Sequence, residues 1–255
     1  MGGDFVARLA PASSRGSRLA PAAVSANGRA TAIGATAYDP TMPDAPSPGP
    51  RIVAVIPVGA LEGAKSRLGG TLDAEERREL AIEMLDRTLR AALTTSTIDE
   101  TLVISPDREV LDRAASAGAR TLLQRSQGLN SGLREARADA TAGGADAIVI
   151  LPIDLPLVSS AAVEGLIAPL EAIVERPLVV LAPDRHGRGT NGLLVAPPDA
   201  VEFGFGGDSR AAHAACAAEA GARYIEIDGP LALDIDTPDD LLFVEHLLTE
   251  TADAR

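Results

Sequence analysis

The chain changes texture at Arg51: from there on, short β-branched runs alternate with stretches in which apolar residues recur at helical spacing. Runs at 52–58, 101–105, 120–123, 147–151, 178–182, 192–196 and 223–227 are strand candidates, and several are apolar without a break, as strands covered on both faces are. Stretches at 73–93, 109–117, 130–141, 160–174, 209–220 and 238–248 carry helical spacing, with Thr237 placed to cap the last and Pro238 in its tolerant first turn. The alternation predicts an α/β domain over residues 51–250, a mixed, mostly parallel sheet flanked by helices. Residues 1–50 show no such pattern: seven prolines among Ala, Ser and Gly predict a disordered N-terminal extension.

Composition then excludes several classes. Aromatics are 2% of the chain and Trp is absent, so there is neither a stacking platform for single-stranded nucleic acid nor an interfacial belt for a membrane. The formal charge of −13 repels polyanions and anionic bilayers alike. Residues 1–50 hold four Arg and three Asp, so the excess acid belongs to the predicted domain. A single cysteine, Cys216, allows no internal disulfide, and no apolar run reaches the ~18 residues of a spanning helix. These features predict a soluble cytoplasmic protein.

In open α/β sheets ligands bind beyond the carboxyl ends of the strands, so the loops there are the places to search. The loop after the first strand runs from Gly59 to Lys65, Ser66 and Arg67, small residues delivering two cations. Lys65 is the one lysine beside 22 arginines, as if a compact ammonium were wanted there. The loop nearly matches the phosphate-binding GxxxxGK[ST] pattern, but Ala64 replaces its second glycine and Gly69-Gly70 would break the long helix that must follow. A P-loop-like NTPase is therefore a minor alternative.

Two acidic segments follow. Asp154 ends an apolar strand between Pro152 and Pro156, where a carboxylate needs a partner or a cation, and Ser159 or Ser160 is better placed than it to cap the next helix. Asp234 and Asp236 project to one side of an extended segment and invite a divalent cation, whereas Asp239 and Asp240 suit a helix N-terminus. Together Asp154, Asp234 and Asp236 are candidate ligands for Mg²⁺ at a nucleotide's phosphates. A Gly-rich segment from Pro183 to Gly192, carrying Arg185, Arg188 and Thr190, reads as a loop for a small anion, and Gly206 and Ser209 lead into a helix N-terminus able to hold phosphate or carboxylate. His186, His213 and His246 show no metal-ligand spacing.

In order, Ile56-Pro-Val, Ala64-Lys65-Ser-Arg67-Leu68, Leu129-Asn130, Asp154-Leu-Pro156, Asp184-Arg185 with Gly189-Thr190, Phe205-Gly206 with Asp208-Ser209, and Asp234-Ile-Asp236-Thr-Pro resemble the phosphoenolpyruvate/2-phospho-L-lactate guanylyltransferase family. That family makes the first intermediate of the deazaflavin coenzyme F-420. The resemblance spans residues 51–248. It implies a glycosyltransferase-A-like nucleotidyltransferase fold and transfer of GMP from GTP to phosphoenolpyruvate or 2-phospho-L-lactate, releasing pyrophosphate. By position it implies Mg²⁺ ligands at Asp154 and Asp234 with help from Asp236, and acceptor binding at Thr190, Gly206 and Ser209. It also implies a triphosphate grip by Lys65 and Arg67, and a guanosine neighbour at Asn130. Many relatives carry lysine where this chain has Gly59. The acceptor stays open among phosphoenolpyruvate, 2-phospho-L-lactate and 3-phosphoglycerate, and a downstream transferase is an expected recipient of the product. The alternatives are a molybdenum-cofactor guanylyl- or cytidylyltransferase, for which an extended pterin loop is missing, and a non-catalytic nucleotide-sensing module.

Overall fold

The computed structural model describes residues 49–253. The expected disordered extension therefore lies, but for its last two residues, outside the described part. Seven strands form one sheet: β1 (Ile52–Pro57), β2 (Glu100–Ser105), β3 (Arg120–Leu123), β4 (Ala147–Ile150), β5 (Leu178–Pro183), β6 (Thr190–Ala196) and β7 (Arg223–Glu226). The helices are α1 (Ala74–Thr94), α2 (Arg108–Ala117), α3 (Leu129–Ala142), α4 (Ser160–Ala172), α5 (Ser209–Glu219) and α6 (Pro238–Asp253). Every element expected from the hydrophobic pattern is present.

The strand order is β3-β2-β1-β4-β6-β5-β7. Neighbours are parallel except β6, which runs antiparallel to both β4 and β5. Val55 is in register with Leu102 of β2 and Ile150 of β4, so the center of the sheet is apolar on both faces. Alternation divides those faces: Ile52, Ala54 and Ile56 pack with Leu85 and Leu89 of α1 and Val163 and Leu166 of α4, while Val53 and Val55 pack with Leu133 and Ala136 of α3.

The reversal of β6 decides where the site lies. β1, β2 and β4 end at one edge of the sheet, and an antiparallel β6 begins at that same edge, with Ile150 opposite Leu193. Thr190 therefore enters the edge from the start of a strand. The expected loop from Pro183 to Gly192 is shorter than anticipated, because Thr190 and Asn191 are buried residues of β6.

A third, smaller cluster fastens the loops. Leu68 and Leu72 pack with Leu80 and Met84 of α1, with Leu233 and Ile235, and with Leu241 and Val244 of α6. It places the Lys65 loop against the Asp234–Asp236 segment. Truncating Leu68 to Ala would cost about 2–5 kcal/mol and loosen both loops together.

The helix ends are set by local chemistry. Asp73 and Glu76 form a reciprocal capping box at α1, and Ser159 caps α4 by accepting from Ala162 N–H, as expected. The hydroxyl of Thr237 accepts from Asp240 N–H while Asp240 accepts from Thr237 N–H, which caps α6. Among the described residues no helix is long and apolar enough to cross a membrane.

Candidate active site

The chain leaves β1 at Pro57 and reaches Lys65 through small residues. Lys65 has φ +50°, a left-handed conformation that costs an L-residue about 1–2 kcal/mol. The turn aims the side chain inward: Nζ lies 2.6 Å from the Ile235 carbonyl oxygen and 3.3 Å from Asp236 Oδ1, with only 10% of the side chain exposed. Arg67 approaches the other Asp236 oxygen at 3.6 Å while its own side chain stays 75% exposed. Ser66–Leu68 form one turn of 3₁₀ helix that ends at Gly69. A P-loop feeds a long helix at this point, so the P-loop alternative is set aside.

Asp154 follows β4 and is half-buried. Its backbone carbonyl accepts from Ile235 N–H at 2.9 Å, tying the two acidic segments together. Its carboxylate atom Oδ1 is buried without a protein partner, an arrangement that costs stability unless something else satisfies the oxygen. Burial raises the carboxyl pKa, the Lys65 ammonium opposes that rise, and Asp236 adds to it. Asp234 is pushed up to about 6, first by burial and then by the charges of Asp154, Asp236 and Asp240. A hard cation is the group that would relieve both carboxylates. Among the described residues no three His, Cys, Asp or Glu side chains stand close enough to hold a metal by themselves. The arrangement fits Mg²⁺, which takes one or two carboxylates and completes its shell with water and phosphate oxygens.

Between the Lys65 loop and α1 opens a cleft of about 350 Å³, lined by Gly59, Leu61, Ala64, Lys65, Arg67 and Asp236 among others. Gly59 leaves its wall open, since a Cβ there would meet nothing within 4 Å.

The other expected site residues form a second group. Thr190, at the start of β6, pairs its hydroxyl with His213 of α5. Ser209 is buried at the first position of α5, where Asp208 occupies the capping position and makes no side-chain cap bond. Gly206 lies in the loop just before, and Gly206 O accepts from Ser209 N–H. Asn130, at the start of α3, holds this loop by two bonds: its Nδ2 donates to Phe205 O and its Oδ1 accepts from Phe205 N–H. Its carboxamide is thus engaged by the loop of the second group.

Two charged residues have structural partners. Arg185 pairs with buried Asp240 and lies 4.9 Å from the Phe243 ring centroid. Asp240 accepts from the N–H groups of Asp236 and Thr237, so it clamps the very turn that carries Asp236. Arg188 pairs with Asp208, both largely exposed. Sequence reasoning missed His213, whose partners lie 23 and 9 residues away. It also gave Asp240 only a helix-terminal role, although the Thr237-x-x-Asp240 spacing was there to be read.

The sequence model of the family described as guanylyl transferase CofC-like matches residues 52–250. A phosphoenolpyruvate guanylyltransferase of Sphaerobacter thermophilus is 45% identical over 191 residues, 74% of this chain and 90% of that protein. One from Rubrobacter xylanophilus is 43% identical over 195 residues, 76% of this chain and 93% of that protein. Among solved structures, a putative nucleotide-diphospho-sugar transferase from Desulfovibrio desulfuricans aligns with TM-score 0.61 at 15% identity over 80% of this chain and 95% of that one. A nucleotidyl transferase from Methanothermobacter aligns with TM-score 0.56 at 17% identity over 80% of this chain and all of that one. These structures share the fold. Because the family match takes in every strand of the sheet and the loops that carry Lys65, Asp154 and Asp236, the chain belongs to the guanylyl transferase CofC-like family of nucleotidyltransferases.

Proposed function

We propose that this guanylyltransferase moves GMP from GTP to phosphoenolpyruvate, forming a guanosine diphospho-enolpyruvoyl product and pyrophosphate on the route to coenzyme F-420. The observation that carries this reading is the meeting of Lys65, Arg67 and Asp154 with Asp236 at one edge of the sheet, in a chain whose near-full-length relatives are named phosphoenolpyruvate guanylyltransferases. Relatives with that name favor phosphoenolpyruvate over 2-phospho-L-lactate or 3-phosphoglycerate as acceptor.

The nucleophile is an oxygen of the acceptor's phosphate, already ionized at neutral pH, so attack on the α-phosphorus of GTP requires no general base. The new P–O bond forms as the bond to the bridging α,β-oxygen breaks, and pyrophosphate leaves with that oxygen and its electron pair. Catalysis is then positioning and charge neutralization. Lys65 and Arg67 exchange their contacts with Asp236 for triphosphate oxygens. Thr190, the Gly206 loop and the Ser209 end of α5 receive the acceptor's anionic oxygens. Asp154 and Asp234 would hold Mg²⁺, which when bound neutralizes charge on the phosphates. The product is a diphosphate-activated acid, chemically suited to consumption by a transferase that displaces GMP.

The reading is tested by following pyrophosphate release with Mg²⁺, GTP and each of the three acids, with ATP and CTP as controls. Release that requires GTP and phosphoenolpyruvate is expected. Silence with every acid would overturn the reading.

A further inference from the structure

His213 lies one turn into α5 and is fully buried. A buried imidazole costs stability unless its nitrogens find partners, and here both do. Gly204 N–H donates to Nε2 at 3.0 Å, which makes Nε2 an acceptor and puts the ring proton on Nδ1. Nδ1 lies 3.0 Å from Thr190 Oγ1, so the hydroxyl accepts there and its own proton points elsewhere. Burial lowers the imidazole pKa to about 4, so the neutral ring keeps this arrangement at neutral pH.

The surroundings hold the ring and its partners together. Phe205 packs edge-on to the imidazole with centroids 4.8 Å apart, and Asn130 bonds both sides of that residue's backbone. A Cβ on Gly204 would come within 2.9 Å of Ala212 Cβ, so glycine lets the loop lie close enough on α5 for its N–H to reach the ring. One side chain thus joins β6, the loop before α5 and α5 itself.

We propose that His213 is the positioning residue of the acceptor subsite: by accepting from Gly204 and donating to Thr190, it leaves the Thr190 hydroxyl as a donor toward an anionic oxygen of a small phosphorylated acid. This inference rests on the guanylyl-transfer reading above. His213 touches no reacting atom; it acts through Thr190 and the loop that carries Gly206.

The test compares His213→Gln, His213→Asn, Thr190→Val and the double variant His213→Gln/Thr190→Val. Steady-state constants for GTP and phosphoenolpyruvate are measured, together with phosphoenolpyruvate binding by titration calorimetry. His213→Gln and Thr190→Val are expected to raise the phosphoenolpyruvate KM about tenfold, the equivalent of one hydrogen bond, and to leave the GTP KM unchanged. Asparagine places an amide donor near the Nδ1 position and is expected to recover part of the loss. The double variant is expected to be no worse than Thr190→Val alone: the glutamine carboxamide oxygen can still accept from Gly204 N–H, so the His213→Gln change removes only the donation to Thr190, which Thr190→Val has already removed. Thr190→Val leaves α5 intact and keeps the test available if a His213 variant fails to fold. Additive losses, or GTP and acceptor constants that rise in step, would overturn the inference while leaving guanylyl transfer in place. Wild-type protein that neither binds phosphoenolpyruvate nor releases pyrophosphate would remove the functional reading first, and this inference with it.

Discussion

Lys65 Nζ and Asp236 Oδ1 lie 3.3 Å apart although 171 residues separate them in the chain. The contact joins the loop after the first strand to the acidic segment before the last helix. Lys65 reaches it from a left-handed backbone, so conformational strain at φ +50° is offset by the ammonium's bonds to Asp236 and the Ile235 carbonyl.

Two substitutions separate the side chain from the backbone. Lys65→Ala removes the cation and keeps the strain; Lys65→Gly removes both. Each is expected to lower kcat/KM for GTP by about a hundredfold, as loss of a preorganized charge does, with a smaller effect on the acceptor. The glycine variant should be about 1 kcal/mol more stable than the alanine variant. Initial rates at varied GTP and thermal melts check both; unchanged GTP kinetics would remove Lys65 from the triphosphate grip.

Asp154 carries a buried carboxylate oxygen with no protein partner. Asp154→Asn is expected to lower turnover by about a thousandfold, yet to raise the melting temperature of the metal-free protein, because an unpaired buried charge is gone. Added Mg²⁺ should stabilize the wild type more than the variant. Retained activity would contradict the assignment.

Asp234 gives a pH dependence of known sign. Its pKa rises from an ordinary 3.8 to about 6 in the folded protein, chiefly through burial. The native state then binds the proton more tightly than the unfolded state, so this group's contribution to stability falls as pH rises from about 4 to about 6. Melts of the metal-free protein across that range should show the decline, and Asp234→Asn should flatten it. A slope unaltered by the substitution would show that other groups govern this limb.

Asp240 accepts from Asp236 and Thr237 N–H groups and pairs with Arg185. Asp240→Ala leaves those donors and a half-buried guanidinium without their acceptor. A cost of about 1–3 kcal/mol is expected, with activity falling further than stability because the turn that carries Asp236 loosens. Chemical denaturation and steady-state rates measured on one preparation decide it.

The elements were legible because their patterns are local: the apolar runs of β1 and β4 and the helical spacing of α1 can be read without their partners. The reversal of β6 was not, since an apolar strand reads alike in either direction, and that reversal brings Thr190 to the site edge. Lys65, Asp154, Asp234 and Asp236 stood out as candidates by residue type, and the structure brings Lys65 and Asp236 into contact. The role of Asp240 depends on Arg185, 55 residues away, and that of His213 on Thr190 and Gly204, contacts that only the closed tertiary structure supplies. The bonds of the Asn130 carboxamide to the Phe205 backbone, 75 residues on, are announced by no spacing.

The most direct test of the account uses phosphoenolpyruvate labeled with ¹⁸O in its phosphate oxygens, GTP and Mg²⁺, with the products read by ³¹P NMR and mass spectrometry. Attack by the acceptor phosphate on the α-phosphorus predicts a guanosine diphospho-enolpyruvoyl product that retains every labeled oxygen, one of them in the diphosphate bridge, and pyrophosphate free of label. Labeled pyrophosphate, or GTP consumed with no new diphosphate linkage, would contradict it.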